Sequence, residues 1–184
     1  EKLIAHANKA SDNLYAELLL RQLGRIATPD ASVPSVKLGL DTEAEWLGWP
    51  KESYRLVDGS GLSRHDLLTP RQVADVLFRM RNRPEFRQSL AVAGVDGTMA
   101  GRLAGTRAAG RVFAKTGTLS GVSALAGYIG DRWTFAFLVN GHVGPLAPVR
   151  AIQDAMCLAL SPAGAALPPQ SEGATGSVLL ELRR

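Results

Sequence analysis

Cysteine is nearly absent from this sequence of 184 residues. The single cysteine, Cys157, has no partner for an internal disulfide, and its apolar stretch IQDAMCLAL predicts a small buried side chain. Aromatic residues make up only 6% of the chain and do not interleave with basic residues, so no base-stacking surface and no nucleic-acid partner is expected. The formal net charge of +4 comes from scattered basic residues, a pattern typical of solvated helix faces.

Long apolar runs are also missing. No uninterrupted stretch approaches the ~20 residues of a membrane-spanning helix, and the opening EKLIAHANKA lacks the apolar segment of a signal peptide. Because the first residue is Glu1 rather than methionine, we expect a processed or cut piece of a longer protein. The hydrophobic fraction of 46% and the charged fraction of 21% indicate a folded chain with a substantial core, not a disordered or fibrous one.

The order of predicted elements indicates an α/β (α+β) fold, in which helices cover an antiparallel sheet. Capping and periodicity predict helices after Ser11, over DTEAEWLGW, over residues 70–83, over residues 84–90 and over PVRAIQDAMCLAL. Strands are predicted over RVFAK, VSALAGYI and RWTFAFLVN, with a two-residue hairpin turn at Gly130-Asp131. This sheet is thin for so many helices, so we expect it to be incomplete without an N-terminal part. Residues 1–160 are assigned to this domain, and residues 161–184, rich in Ser, Pro, Gly and Ala, to a flexible tail.

Several common site motifs are absent, among them GxGxxG, the Walker A motif, HExxH, CxxC and Gly-x-Ser-x-Gly. Two short motifs remain, Ser11-Asp12-Asn13 and Lys115-Thr116-Gly117. Each has a structural alternative, since a serine often caps a helix start and Lys-Thr-Gly fits a strand that leads into a glycine turn. Together and in this order, they match two of the three elements of penicillin-recognising serine enzymes.

Four longer segments make the likeness more specific: ASDNLYAELLLRQLG, VDGSGLSRHDLLTPRQVADVL, VAGVDGTMAGRL and FAKTGTLSGVSALAGYI. In this order they resemble the class C low-molecular-mass penicillin-binding proteins, the D-alanyl-D-alanine carboxypeptidase/endopeptidase family, over residues 2–160. The resemblance implies the back half of a transpeptidase/β-lactamase-like domain. It also implies an extracytoplasmic serine enzyme of the periplasm or cell envelope that acts on peptidoglycan stem peptides ending in D-Ala-D-Ala. β-Lactams are its expected inhibitors, and no metal or organic cofactor is implied.

The chain departs from this family in one respect, because it contains no Ser-x-x-Lys. The residues three positions before lysines 9, 37, 51 and 115 are His6, Pro34, Gly48 and Val112. In the family that motif carries the nucleophilic serine and lies earlier in the chain. The resemblance therefore implies that the N-terminal part of the same protein supplies it, in one polypeptide or as a separate chain after cleavage.

The resemblance also implies roles for the two short motifs. Ser11 would relay a proton towards the leaving nitrogen, and Asn13 would hold the substrate amide in register. The positive charge of Lys115 would attract the carboxylate of the substrate. Asp12, between the two catalytic side chains, is interpreted as structural.

The strand that follows Lys115 is expected to bind the substrate as an added antiparallel strand. The hydroxyls of Thr116 and Thr118 would donate hydrogen bonds to the substrate carboxylate, and Gly117 would let the strand edge approach closely. The backbone N–H of Thr118 would be the second oxyanion donor.

Two alternative functions stay open. A serine β-lactamase-like hydrolase shares both short motifs, although the DGSGLSR and GVDGT segments argue against it. A non-catalytic peptidoglycan-binding or scaffolding fragment is favoured by the absence of Ser-x-x-Lys. The DGSGLSR segment has two interpretations, a loop that lines the cleft or a tight turn in which Gly59 and Gly61 permit a positive φ, and the structural one is favoured. Asp96-Gly97-Thr98 is treated in the same way and interpreted as a turn and helix cap.

Overall fold

The computed structural model describes residues 1–28, 34–162 and 176–177. They form two compact units, one made of residues 1–11 with the chain from residue 70 onward, the other of residues 12–69. The helices are α1 (Lys2–Lys9), α2 (Asn13–Ala27), α3 (Val36–Leu47), α4 (Pro70–Met80), α5 (Pro84–Ser89) and α6 (Leu146–Leu160). The strands are β1 (Ala91–Val92), β2 (Val112–Leu119), β3 (Val122–Ile129), β4 (Trp133–Asn140) and β5 (Gly176–Ser177).

The first unit is built on one sheet with the strand order β1-β2-β3-β4-β5. Strands β1 to β4 are antiparallel neighbours, and β5 pairs with β4 in parallel. The predicted fold class, an antiparallel sheet covered by helices, is confirmed. The two-residue strands β1 and β5 and the helix α1 were not predicted, because such short segments carry too little periodicity to be recognised.

An apolar cluster lies on each face of this sheet. On one face, Cys157 of α6 belongs to the cluster that contains Phe135, and both are fully buried. On the other face, Leu77 of α4 and Leu90 after α5 pack with Tyr128, whose hydroxyl donates to the backbone oxygen of Leu77 over 2.6 Å. The central strands therefore read as nearly continuous apolar runs, since both of their faces are covered.

Strand β2 is longer than the sequence predicted. It continues through Lys-Thr-Gly to Leu119, and the chain turns only at Ser120-Gly121. The interpretation of Lys-Thr-Gly as a strand that leads into a glycine turn was therefore wrong. The turn predicted at Gly130-Asp131 exists but spans three residues, because Ile129 pairs with Trp133.

The second unit holds α2 and α3 in close contact. A Cβ atom built on Gly39 would overlap the backbone of Leu20, and one built on Gly24 would overlap Leu38 and Gly39. Glycine at both positions is what lets the two backbones approach so closely. Helix α3 begins at Val36, earlier than the predicted DTEAEWLGW, because the Oγ atom of Ser35 accepts from Leu38 N over 3.1 Å and caps the helix there.

Most of the predicted tail, residues 161–184, lies outside the described residues, so its flexibility stays a prediction. Helix α6 ends at Leu160, where the domain was predicted to end. Among the helices of the described ranges, none combines the length and apolarity that crossing a membrane requires.

Candidate active site

Lys115 and Ser11 meet in the first unit. Lys115 lies in the middle of β2, and Ser11 follows the C-terminal end of α1. The Nζ atom of Lys115 donates to Ser11 Oγ over 2.6 Å and to the backbone oxygen of Thr116 over 2.6 Å. The tertiary structure thus brings together one residue from each of the two short motifs.

The ammonium group of Lys115 has no carboxylate partner among the residues that the structure describes. Burial lowers the pKa of Lys115 below its ordinary value of 10.5, because water that would solvate the charge is excluded. An ammonium group has three N–H donors, and Ser11 and Thr116 accept two of them. The third donor and the uncompensated charge favour the binding of an anion.

Ser11 does not cap a helix, which was the structural alternative for this residue. Asp12 is the N-cap of α2, and its Oδ1 atom accepts from Tyr15 N over 3.1 Å. The interpretation of Asp12 as structural agrees with this bond. Ser11 adopts a positive φ of 56°, which is uncommon for a residue other than glycine. Asn13 is the first residue of α2, in the second unit.

The outer edge of β2 is open beside the Lys-Thr-Gly motif. Strand β1 pairs only with Phe113 and Ala114, and Ala93 N donates to Val112 O on the same edge over 2.9 Å. Because backbone groups alternate between the two edges of a strand, those of Thr116 and Thr118 point to this edge as well. No strand of the described chain lies alongside them there.

The side chains of the motif divide between two faces of β2. Lys115 and Gly117 lie on one face, and Thr116 and Thr118 lie on the other. The hydroxyl of Thr116 donates to the hydroxyl of Thr98 over 2.9 Å. The contact of Thr98 with this site was not predicted, because no spacing or periodicity in the sequence reveals a hydrogen bond between side chains 18 positions apart in a turn and a strand.

The DGSGLSR loop of the second unit is held by its own hydrogen bonds. Asp58 accepts from Gly61 N over 2.6 Å and from Ser63 N over 2.8 Å. Glu17 of α2 accepts from Gly59 N over 3.0 Å and from Ser60 N. These bonds agree with the interpretation of the loop as a turn, and Gly61, with a φ of 73°, supplies the conformation that the turn needs.

Within the parts of the chain that are described, no three His, Cys, Asp or Glu side chains are grouped so that they could hold a metal ion. Both ring nitrogens of His142 are covered and have no hydrogen-bond partner within the same ranges. A histidine that acts as a general base needs access to a proton and an orienting partner.

Comparison with known proteins identifies a family over most of the chain. Residues 1–161 match the D-Ala-D-Ala carboxypeptidase 3 (S13) family. A D-alanyl-D-alanine carboxypeptidase of Actinomadura sp. (strain R39) is 41% identical over an alignment of 164 residues, which covers 83% of this chain and 30% of that protein. The D-alanyl-D-alanine carboxypeptidase DacB of Haemophilus influenzae is 33% identical over 76% of this chain and 31% of its own length.

Solved structures share the fold. Penicillin-binding protein 4 of Haemophilus influenzae, in complex with a β-lactam, has a TM-score of 0.72 and 28% identity, covering 87% of this chain and 41% of that chain. A predatory peptidoglycan endopeptidase of Bdellovibrio bacteriovorus has a TM-score of 0.69 over 94% of this chain and 46% of its own. Its identity is 17%, so that likeness concerns the fold alone.

The family match includes the four segments on which the resemblance was based. It covers both Ser11-Asp12-Asn13 and Lys115-Thr116-Gly117. The chain spans only about a third of the length of the curated relatives described above. It belongs to the D-Ala-D-Ala carboxypeptidase 3 (S13) family of low-molecular-mass penicillin-binding proteins.

Proposed function

We propose that this chain is the C-terminal part of the catalytic domain of a serine-type D-Ala-D-Ala carboxypeptidase. Its substrates are peptidoglycan stem peptides that end in D-Ala-D-Ala, and β-lactams inhibit it. The nucleophilic serine and its lysine come from an N-terminal part of the same protein that carries Ser-x-x-Lys. Family membership supports the reaction class. The absence of Ser-x-x-Lys from residues 1–184 supports the proposal that an N-terminal part of the protein supplies the nucleophile.

The observation that carries this proposal is the contact between Lys115 and Ser11. A half-buried ammonium group that lacks a carboxylate partner within the described residues is costly unless a ligand compensates its charge. The C-terminal carboxylate of a stem peptide supplies that compensation. Lys115 therefore contributes both to holding the substrate and to orienting Ser11.

The reaction is an acyl transfer. The nucleophilic serine oxygen bonds to the carbonyl carbon of the penultimate D-Ala, the bond from that carbon to the terminal nitrogen breaks, and water hydrolyses the ester. The leaving nitrogen must gain a proton. Because the Oγ atom of Ser11 accepts from Lys115, its own O–H is free to donate towards that nitrogen.

The substrate backbone lies along the open edge of β2. There it adds an antiparallel strand, which satisfies the outward-facing backbone groups of Thr116 and Thr118. The Thr118 N–H donates to the developing oxyanion. As the family resemblance implies, the hydroxyls of Thr116 and Thr118 donate to the carboxylate, for which Thr116 exchanges its bond to Thr98 for one to the substrate. Gly117 lets the strand edge approach the substrate closely, and Asn13 holds the substrate amide.

The same proposal places the protein outside the cytoplasm, in the periplasm or cell envelope, where its polymeric substrate is found. Membership of the family supports this location. From this location we expect the complete protein to carry an export signal ahead of the Ser-x-x-Lys segment.

Denaturing mass spectrometry of the intact protein after brief exposure to penicillin tests the proposal. We expect one added penicillin mass on a peptide that carries Ser-x-x-Lys, and release of D-alanine from a pentapeptide substrate. An adduct that disappears within seconds would indicate a β-lactamase-like hydrolase instead. No adduct, combined with binding of muropeptides, would indicate a non-catalytic scaffold and overturn the proposal.

A further inference from the structure

A short turn in the first unit bonds to a residue close to Ser11 in the chain and to a residue next to Lys115. It consists of Asp96, Gly97 and Thr98 and is called the 96–98 turn below. Its first residue bonds to Lys9, two positions before Ser11. Its last residue bonds to Thr116, the neighbour of Lys115.

The carboxylate of Asp96 makes two bonds. Its Oδ2 atom accepts from Lys9 Nζ over 2.5 Å, and its Oδ1 atom accepts from Val92 N over 2.8 Å. Burial on its own would raise the pKa of Asp96, but these hydrogen bonds and the charge of Lys9 hold it below the ordinary value of 3.8. The carboxylate is thus ionised at neutral pH and tied to the strand β1, which begins the sheet.

The middle residue of the turn, Gly97, lies close to the C-terminal end of α1. Gly97 has a φ of 55°, and a Cβ atom there would lie 2.8 Å from Lys9 O and 2.9 Å from Ala91 Cβ. Met99, directly after the turn, is fully buried in the core of the sheet. The turn is therefore in close contact with α1 and is held in place by the buried side chain of Met99.

We propose that Asp96 is a positioning residue, which holds Ser11 against Lys115 by binding Lys9 at the end of α1. This inference rests on the proposed function, in which Ser11 relays a proton. It assigns no contact with the substrate to Asp96. The 96–98 turn joins the segment before Ser11 to the strand of Lys115, so that the two halves of the pair share one anchor.

Such an anchor is needed because Ser11 lies outside regular secondary structure. Its positive φ is not stabilised by helix or sheet bonds, and α1 ends at Lys9. A displacement of about 1 Å at a reacting group can lower a rate by about 100-fold. The bond from Lys9 to Asp96 lies two residues before Ser11 and limits this displacement, and the bond from Asn8 Nδ2 to Ser89 Oγ fixes the same end of α1 one residue earlier.

The test measures acylation of the intact protein, with its Ser-x-x-Lys part, by penicillin. We expect Asp96→Asn to slow acylation by about 10- to 100-fold and Asp96→Glu to restore most of the rate. Lys9→Met should have a similar effect, and the double variant should be no slower than either single variant, because both remove one bond. Asp131→Asn is the matched control, since Asp131 accepts from Arg87 Nη1 over 2.6 Å on another part of the same unit.

A merely structural ion pair would give a different result. In that case Asp96→Asn and Asp131→Asn would lower the melting temperature alike, and acylation by the folded protein would be unchanged. If Asp96→Asn does not fold, a wild-type acylation rate for Lys9→Met overturns the proposal. Failure of the wild-type protein itself to form an adduct would instead overturn the proposed function.

Discussion

Lys115 Nζ lies 2.6 Å from Ser11 Oγ, although 104 positions separate the two residues in the chain. Lys115 has no ion-pair partner within the described ranges, and it is removed from much of the solvent. Within this part of the chain, the positive charge of Lys115 is therefore not neutralised by a carboxylate, as that of a purely structural buried lysine would be. It is the basis for the proposal that the carboxylate of the substrate binds to Lys115.

Removing either member of the pair should impair acylation far more than removing a serine elsewhere. We expect Ser11→Ala and Lys115→Met to lower the acylation rate of the intact protein by about 10²- to 10⁴-fold, the range typical of lost proton transfer. Ser63→Ala is the control, because Ser63 Oγ accepts a local bond from His65 N in the DGSGLSR loop. Equally small losses in all three variants, measured by penicillin trapping, would contradict the roles of Ser11 and Lys115.

Stability should depend on the ionisation of Lys115. Because its pKa in the folded protein is below 10.5, the unfolded chain holds this proton more tightly than the folded chain does. The free energy of unfolding of the wild type should therefore rise, relative to that of Lys115→Met, as pH increases from the lowered pKa to 10.5. Urea denaturation of both proteins at several alkaline pH values measures this difference.

Lys37→Met controls for the loss of any lysine, since the Lys37 side chain is 83% exposed. This variant retains Lys115, so its free energy of unfolding should keep the rise relative to Lys115→Met over the same pH range. A constant difference between the wild type and Lys115→Met would show that the Lys115 ammonium group is not buried in solution.

The thiol of Cys157 should react only when the protein unfolds. The residue is fully buried, and burial raises its pKa to about 12, with Asp154 adding to the effect and Arg102 opposing it. At pH 8 we expect labelling by a thiol reagent to be slower by about 10³-fold or more than in denaturant, because the group must first become exposed. Immediate labelling of the native protein would contradict the packing of α6 on the sheet.

A methyl group at the crossing of α2 and α3 should destabilise the second unit. Gly39→Ala introduces an atom that overlaps the backbone of Leu20, so we expect a loss of about 2–4 kcal/mol in chemical denaturation. Gly101→Ala is the matched control, since no atom lies within 4 Å of its added Cβ and its φ is not positive. The control should change stability by less than about 0.5 kcal/mol. Similar losses in both variants would argue against the close helix contact.

Periodicity and local chemistry were sufficient for most of the regular elements. The apolar run VSALAGYI is β3, and RWTFAFLVN is β4 with one extra residue, Arg132, at its start. Thr69-Pro70 correctly marked the start of α4. Errors arose where a neighbour in space decided the outcome. Trp133, for example, pairs with Ile129, which lengthens the turn that Gly130-Asp131 predicted as two residues.

The family was recognisable from the sequence because each of the four segments is an unbroken stretch of residues, which can be compared with the family without knowledge of the fold. The same holds for the absence of Ser-x-x-Lys and for the two short motifs. What only the tertiary structure decided was which residues touch: that Asp12 rather than Ser11 caps α2, and that Lys115 reaches Ser11. The link from Asp96 to Lys9 was likewise hidden in the sequence. Helix capping and the alternation of apolar and polar residues involve only a few neighbouring residues, so they can be recognised in the sequence. Contacts across 87 or 104 positions depend on sheet register and helix packing, which the sequence does not display.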